Sequence, residues 1–227
     1  MSAKPHFIIR ESWTRTDPAL VAFFRDLPAS LVADALGGFG VLDHEIRPVW
    51  KGPAFIGTAL PVETGPQDLL AVHVAFKYAQ PGDVLVVATG RSLNAAVIGG
   101  ITTARMRHAG LVGAVTDGVV RDLAVIEENG VPVYARGISA GTAFKKGPGR
   151  IGLPVSVGDV AVEAGDIVMG DRDSVVVIPQ HQAEHTRDAI AQAHALEAKL
   201  ETARTIANAH PSWAEEALAH CEITIVR

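Results

Sequence analysis

The chain has 227 residues, 48 % of them hydrophobic and 20 % charged, with 20 Lys+Arg against 25 Asp+Glu for a formal net charge of −5. That apolar content excludes an intrinsically disordered chain, and an acidic balance without a basic tract argues against nucleic acid as a partner. No apolar run reaches the ~18 residues of a membrane span, Phe7-Ile8-Ile9 is too short for a secretory core, and the single Cys221 has no intrachain disulfide partner, so the expectation is a cytoplasmic globular protein with no membrane contact.

Asp17-Pro18 reads as a cap and first-turn proline opening one or two helices over 18–36, with Ser30 as a candidate cap for the second. Residues 54–62 read as a strand, 68–79 as a helix with Leu69, Val72, Phe76 and Ala79 on one face, and 84–87 as a buried strand after the turn at Pro81-Gly82-Asp83. A loop at 89–94 leads into a helix expected over 95–109, with Gly110 at its C-cap, and 112–115 reads as another buried strand. A short helix over 122–128 stops at Asn129-Gly130, and 131–134 is strand-like. From 151 to 178 short apolar strands alternate with Gly-Asp turns, and an Ala- and Glu-rich helix over 180–207 and a strand over 223–226 close the chain. Strand and helix alternate early and short strands dominate later, which points to one mixed α/β domain over 1–227.

Two motif spellings carry little chemistry. Gly147-Pro148-Gly149-Arg150-Ile151-Gly152 matches G-x-G-x-x-G, but strand-like Leu153-Pro154-Val155 follows where a dinucleotide site needs a helix. His181-Gln182-Ala183-Glu184-His185 matches an inverted zinc-protease spelling, yet a third ligand is not apparent, and a solvated helical turn after Pro179 accounts for it. His73 sits among apolar helix neighbours and reads as a core or interface histidine. Arg121-Asp122 is different: an apolar strand ends just before it, at the kind of carboxyl end where open α/β folds bind ligands. Either the pair holds a metal and an anionic substrate, or Asp122 caps helix 123–128 while Arg121 pairs with a surface acid. Spacing leaves both open.

The order of Gly99-Gly100-Ile101-Thr102 and Val115-Thr116-Asp117-Gly118-Val119-Val120-Arg121-Asp122 resembles the RraA-like superfamily, in its class II pyruvate aldolase branch. Ile46-Arg47-Pro48, Gly57-Thr58-Ala59, Gln80-Pro81-Gly82-Asp83-Val84, Gly130-Val131-Pro132-Val133 and Asp171-Arg172-Asp173-Ser174 extend the similarity over roughly 30–200. The resemblance implies a single β/β/α domain of the swivelling type with a C-terminal helix, assembled as a homotrimer or a hexamer with sites between subunits. It implies a lyase acting on 2-keto diacids through a pyruvate enolate, by retro-aldol cleavage or oxaloacetate-type decarboxylation. Asp122 would hold Mg²⁺ or Mn²⁺, Arg121 would contact the keto and carboxylate oxygens, and the backbone amides of Gly99, Gly100, Ile101 and Thr102 would hold the pyruvyl carboxylate. A Glu of the C-terminal helix, Glu197 or Glu201, would reach a neighbouring subunit's site. The aldolases read Gly-Asp-Leu-Leu where this chain has Gly99-Gly100-Ile101-Thr102, so the proton-relaying Asp is replaced by Gly100, and Gly100→Asp would be expected to raise aldolase rates provided the added side chain fits the turn. Thr102 or Thr103 could hold the relaying water instead. The superfamily's namesake, a non-catalytic binder that regulates RNase E, lacks the Asp after the Arg, and this chain has Asp122. A hydratase or tautomerase acting on a related keto acid is a third reading.

Overall fold

A computed structural model describes residues 4–201 and 212–226, with the side chains of 194–201, 212 and 213 outside the described set. In chain order the first elements are β1 (Phe7–Ile9), α1 (Pro18–Phe23), α2 (Ala29–Ala35), β2 (Arg47–Pro48), β3 (Phe55–Thr64) and α3 (Leu70–Ala75). There follow β4 (Asp83–Ala88), β5 (Ala96–Ile98), α4 (Gly100–Ala109), β6 (Gly113–Thr116), β7 (Val119–Val120), α5 (Leu123–Asn129), β8 (Val133–Ala135) and β9 (Gly137–Ile138). The remainder is β10 (Gly149–Ile151), β11 (Val155–Val157), β12 (Val160–Val162), β13 (Ile167–Gly170), β14 (Val175–Ile178), α6 (Ala183–Glu201) and α7 (Ser212–Leu218). The chain divides into two compact units, Met1–Ile190 and Ala191–Arg227.

The first unit is mixed α/β, as expected. Its main sheet runs β1-β10-β3-β4-β6-β8-β2, with β13 also paired to β3 and β14 to β13. Strands β3, β4, β6 and β8 are parallel neighbours, and α3, α4 and α5 make the crossovers between them. Strand β4 shows why the apolar runs are continuous. Leu85 and Val87 join α3, α4 and α5 in one core, while Val84, Val86 and Ala88 join β11, β12 and β14 in another. Alternate side chains point to opposite faces, and here both faces are buried. A third cluster packs Val21, Phe24, Val32 and Ile190 from α1, the turn after it, α2 and α6 against Ile167, Met169, Val176 and Ile178 of β13 and β14.

Several expected boundaries are corrected. The helix expected over 95–109 begins only at Gly100, because Ala96, Val97 and Ile98 form a strand that pairs with β7 in a separate parallel sheet, β5-β7-β9. Val97 and Ile98 are β-branched and fully buried, which suits a strand. Ser30 does not cap α2. The Asp171 carboxylate does so from a distant loop, accepting the Ala29 N–H at 2.9 Å. The helix expected over 68–79 shortens to α3, followed by turns at Lys77 and Tyr78. Of the helix expected over 180–207, α6 covers Ala183–Glu201, and 202–207 lies outside the described residues. Residues 223–226 pair with no strand among the described residues, and Ile225 and Val226 are 82 % and 91 % exposed. Asp17 does cap α1, accepting the Ala19 N–H at 2.7 Å, and Gly110 ends α4 in the left-handed conformation at φ 74°. Among the described residues no helix is long and apolar enough to cross a membrane.

The N-terminal segment is pinned beside β4. Arg15 donates from Nε and Nη2 to the two oxygens of Asp83, each at 2.8 Å, and Asp83 also accepts from Thr58 Oγ1 and the Gln80 N–H, both at 2.8 Å. The Asp83 side chain is fully buried.

Candidate active site

Two short segments meet at the site: the start of α4 and the turn between β7 and α5. Arg121 enters that turn with its N–H bonded to the Ile98 carbonyl at 3.1 Å, which ties it to the end of β5. Asp122 follows in the left-handed region at φ 61°, ψ 46°. An Asp tolerates this conformation better than most residues, because its short polar side chain bonds locally. The carboxylate occupies the N-cap position but makes no cap hydrogen bond to its own helix. Instead Oδ2 accepts the Gly100 N–H across the gap at 3.2 Å and lies 3.6 Å from Arg121 Nε. The ordinary capping role left open by spacing is therefore absent.

The two glycines are dictated by this approach. A Cβ on Gly99 would lie 2.9 Å from Asp122 Oδ2 and 3.1 Å from Arg121 Cγ. On Gly100 it would lie 2.7 Å from Val125 Cγ1 and 3.0 Å from Val125 Cβ. The expectation that Gly100→Asp would raise aldolase rates depends on the added side chain fitting this turn, where a Cβ would press on Val125 of α5. We expect Gly100→Ala to lower both stability and any turnover, with overpacking costing roughly 1–3 kcal/mol, and Gly100→Ala/Val125→Ala to recover the melting temperature. An unchanged melting temperature in the single variant would mean that α5 gives way freely.

The first turn of α4 presents its amides to the same place. Thr103 N makes the first helical bond, to the Gly99 carbonyl at 3.0 Å, so the N–H groups of Gly100, Ile101 and Thr102 have no acceptor within the helix. The Thr103 hydroxyl lies 3.2 Å and 3.1 Å from the carbonyls of Gly99 and Gly100, and Asn129 Nδ2 donates to Thr103 Oγ1 at 2.9 Å and to the Gly100 carbonyl at 3.1 Å. This network holds the turn in place. It also occupies Thr103, which is fully buried, so that hydroxyl has no lone role as a water holder.

Side chains that sequence reasoning did not assign to the site gather on the other side. A cleft of about 410 Å³ is lined by His73, Gly99, Arg105, Arg121, Asp122 and Lys145, among others. His73 lines the cleft from α3 and is half-buried. Its Nδ1 lies 2.9 Å from Arg105 Nη1. Burial, then the Arg105 and Lys145 charges, hold the imidazole below its ordinary value of 6.5. It is therefore neutral at pH 7 and accepts from Arg105. The unfolded chain binds this proton more readily than the folded one. The stability this group contributes is thus present above the ordinary value and lost as pH falls through the depressed one. An NMR titration of His73 should give a midpoint below 6.5, moved partway back up in Arg105→Met. A midpoint at or above the ordinary value would contradict the arrangement.

Other candidates stay outside the cleft or outside the described residues. Asp117 clips the loop after β4, accepting the Thr89 N–H at 2.6 Å, its hydroxyl at 2.9 Å and the Arg91 N–H at 2.9 Å. Glu197 and Glu201 lie in α6, and their side chains are outside the described residues. The Gly147 to Gly152 spelling forms β10 and leads into β11, with no helix after it. Among the described residues no three His, Cys, Asp or Glu side chains gather as a metal cage. One exposed carboxylate outside any such cage suits a hard divalent cation that keeps most of its waters, and Mg²⁺ or Mn²⁺ fits that donor.

The family model described as RraA-like, Aldolase/RraA, matches residues 29–177. A Halalkalibacterium halodurans relative named "Putative 4-hydroxy-4-methyl-2-oxoglutarate aldolase" is 34 % identical over 162 residues, covering 71 % of this chain and 77 % of that protein. A Burkholderia multivorans relative of the same name is 33 % identical over 143 residues, covering 63 % of this chain and 87 % of that protein. Among solved structures, Streptomyces coelicolor RraAS2, described as an unusual member of the RNase ES inhibitor RraA protein family, aligns with a TM-score of 0.71 at 26 % identity, covering 84 % of this chain and all of that one.

Proposed function

Because the chain belongs to the RraA-like (Aldolase/RraA) family, we propose that it is a Mg²⁺- or Mn²⁺-dependent lyase that releases pyruvate from a 2-keto diacid. The observation carrying this reading is Asp122, held in a left-handed turn, off its own helix cap, with its carboxylate facing Arg121 and the open amides of α4. Asp122 would hold the cation, which when bound supplies Lewis-acid stabilisation to an enolate oxygen. The amides of Ile101 and Thr102, beside the Gly100 N–H already given to Asp122, form an anion cradle for the pyruvyl carboxylate, aided by the positive end of a ten-residue helix. Arg121 places a planar charged fork beside the keto oxygen, where negative charge grows as the bond breaks. In retro-aldol cleavage the C3–C4 bond breaks, its electron pair enters the pyruvate enolate, and the C4 hydroxyl loses its proton as C4 becomes a carbonyl.

That last proton needs a base, and Gly100 offers none. Glu197 or Glu201 from a neighbouring copy in a trimer or hexamer is the proposed source. Light scattering should then report a trimer or hexamer, and a monomer at micromolar concentration would remove this part of the reading. Decarboxylation of oxaloacetate requires no such base. We expect pyruvate release from oxaloacetate to exceed that from 4-hydroxy-4-methyl-2-oxoglutarate, because only the aldol substrate depends on a base reaching in from a neighbouring copy, a contribution worth ~10²–10⁴-fold. Both activities should disappear with chelator. Robust chelator-resistant release would overturn the metal-dependent reading. The likeness to RraAS2 supports a second reading, a protein-binding regulator without turnover, and absence of pyruvate release from every 2-keto acid tried would favour it.

A further inference from the structure

The cleft carries more positive charge than a single pyruvyl carboxylate requires. Arg105 and Lys145 line it together with Arg121, against Asp122 as the one carboxylate among the described lining residues. Among the described residues no acid lies within 4.0 Å of Arg105 or Lys145. Arg105 has one polar partner among the described residues, the His73 Nδ1 atom. That bond orients the guanidinium without neutralising it, since its acceptor is an uncharged ring.

The placement follows from the helix. Arg105 lies five residues beyond Gly100 on α4, about 7.5 Å along the axis. A helical side chain leans back toward the N-terminus, so the guanidinium returns toward the amide cradle. Lys145 approaches from the segment after β9, close enough for its charge to act on the same imidazole. Two cations from separate segments thus line one cleft together with the first turn of α4 and Asp122.

We propose that Arg105, oriented by His73 and seconded by Lys145, forms a distal anion subsite that binds the second carboxylate of a 2-keto diacid. The proposal rests on the lyase reading for the position of the first carboxylate. Arg105 is then the specificity-determining residue: it selects dianionic over monoanionic keto acids without touching the bond that breaks. A guanidinium–carboxylate pair is charge-assisted, and its loss in a half-exposed cleft is expected to cost about tenfold in affinity.

The test is calorimetric, with Mg²⁺ present, using 2-oxoglutarate and 2-oxobutanoate as probes that share the keto acid end and differ in the distal carboxylate. Wild-type protein should bind 2-oxoglutarate at least tenfold more tightly. Arg105→Met should lower that preference about tenfold, and Arg105→Lys should retain most of it. Equal affinities in the wild type, a preference unchanged in Arg105→Met, or no detectable 2-oxoglutarate binding would each overturn the subsite. The readout needs no turnover. A protein that binds the diacid through Arg105 yet releases no pyruvate would refute the lyase reading and leave the subsite standing.

Discussion

Replacing Asp122 by Asn is expected to lower divalent-cation-dependent pyruvate release by about 10³-fold or more while leaving the melting temperature nearly unchanged. The substitution keeps the shape of the side chain and an oxygen that can accept the Gly100 N–H, now 3.2 Å from Oδ2. Asn also tolerates the left-handed backbone at φ 61°. What it removes is the negative charge on which a hard cation depends. The side chain caps no helix, so no cap stabilisation is lost with it. Pyruvate release measured against Mg²⁺ concentration, beside a thermal melt, checks both halves. If activity survives in the variant, the cation is held elsewhere; if the protein unfolds, the carboxylate has a structural role the geometry does not reveal.

Asp83→Ala should act in the opposite way, on stability before activity. Asp83 is fully buried and accepts four hydrogen bonds, two of them from the Arg15 guanidinium, which is itself 19 % exposed. Removing one partner of such a pair leaves the other charge poorly solvated and typically costs ~3–5 kcal/mol. For a chain of this size that corresponds to a fall in melting temperature of roughly 10 °C. Limited proteolysis should then cut first between β1, still paired to β10, and Pro18, because Arg15 is one of the anchors of that stretch. A melting temperature within a degree or two of the parent would mean that the N-terminal arm contributes little to the fold.

The central strands were legible because burial on both faces writes them as unbroken apolar runs, as in Val84-Leu85-Val86-Val87. The same feature concealed β5. Ala95-Ala96-Val97-Ile98 is too short a run for periodicity to separate strand from helix, and the helical residues after Gly100 drew it into the wrong element. Caps from distant parts of the chain are also invisible to local pattern, since the carboxylate at the start of α2 comes from Asp171. At the site, Arg121 and Asp122 stood out because they are adjacent and follow a strand. His73, Arg105 and Lys145 come from α3, α4 and the segment after β9, so no local spacing joins them. A partial signal existed for Arg105: it lies four residues after Ile101 and three after Thr102, on the helix face that opens at the amide cradle. The clash at Gly100 was not legible either, because Val125 reaches it only through the packing of α5 on α4.

The left-handed turn at residue 122 also bears on how such a protein can change over generations. Asp, Asn and Gly are the residues that enter this backbone region most readily, and each neighbouring codon lies one nucleotide from an Asp codon. A lineage can therefore lose the acid at 122 through a substitution that folding stability hardly registers. Chemistry and architecture are separable at this position, so selection on shape alone, as for a protein kept only to bind another, would not retain the carboxylate. A persistent Asp at the corresponding turn in a descendant would then record selection for turnover, whereas drift toward Asn or Gly would mark where catalysis had ceased to matter.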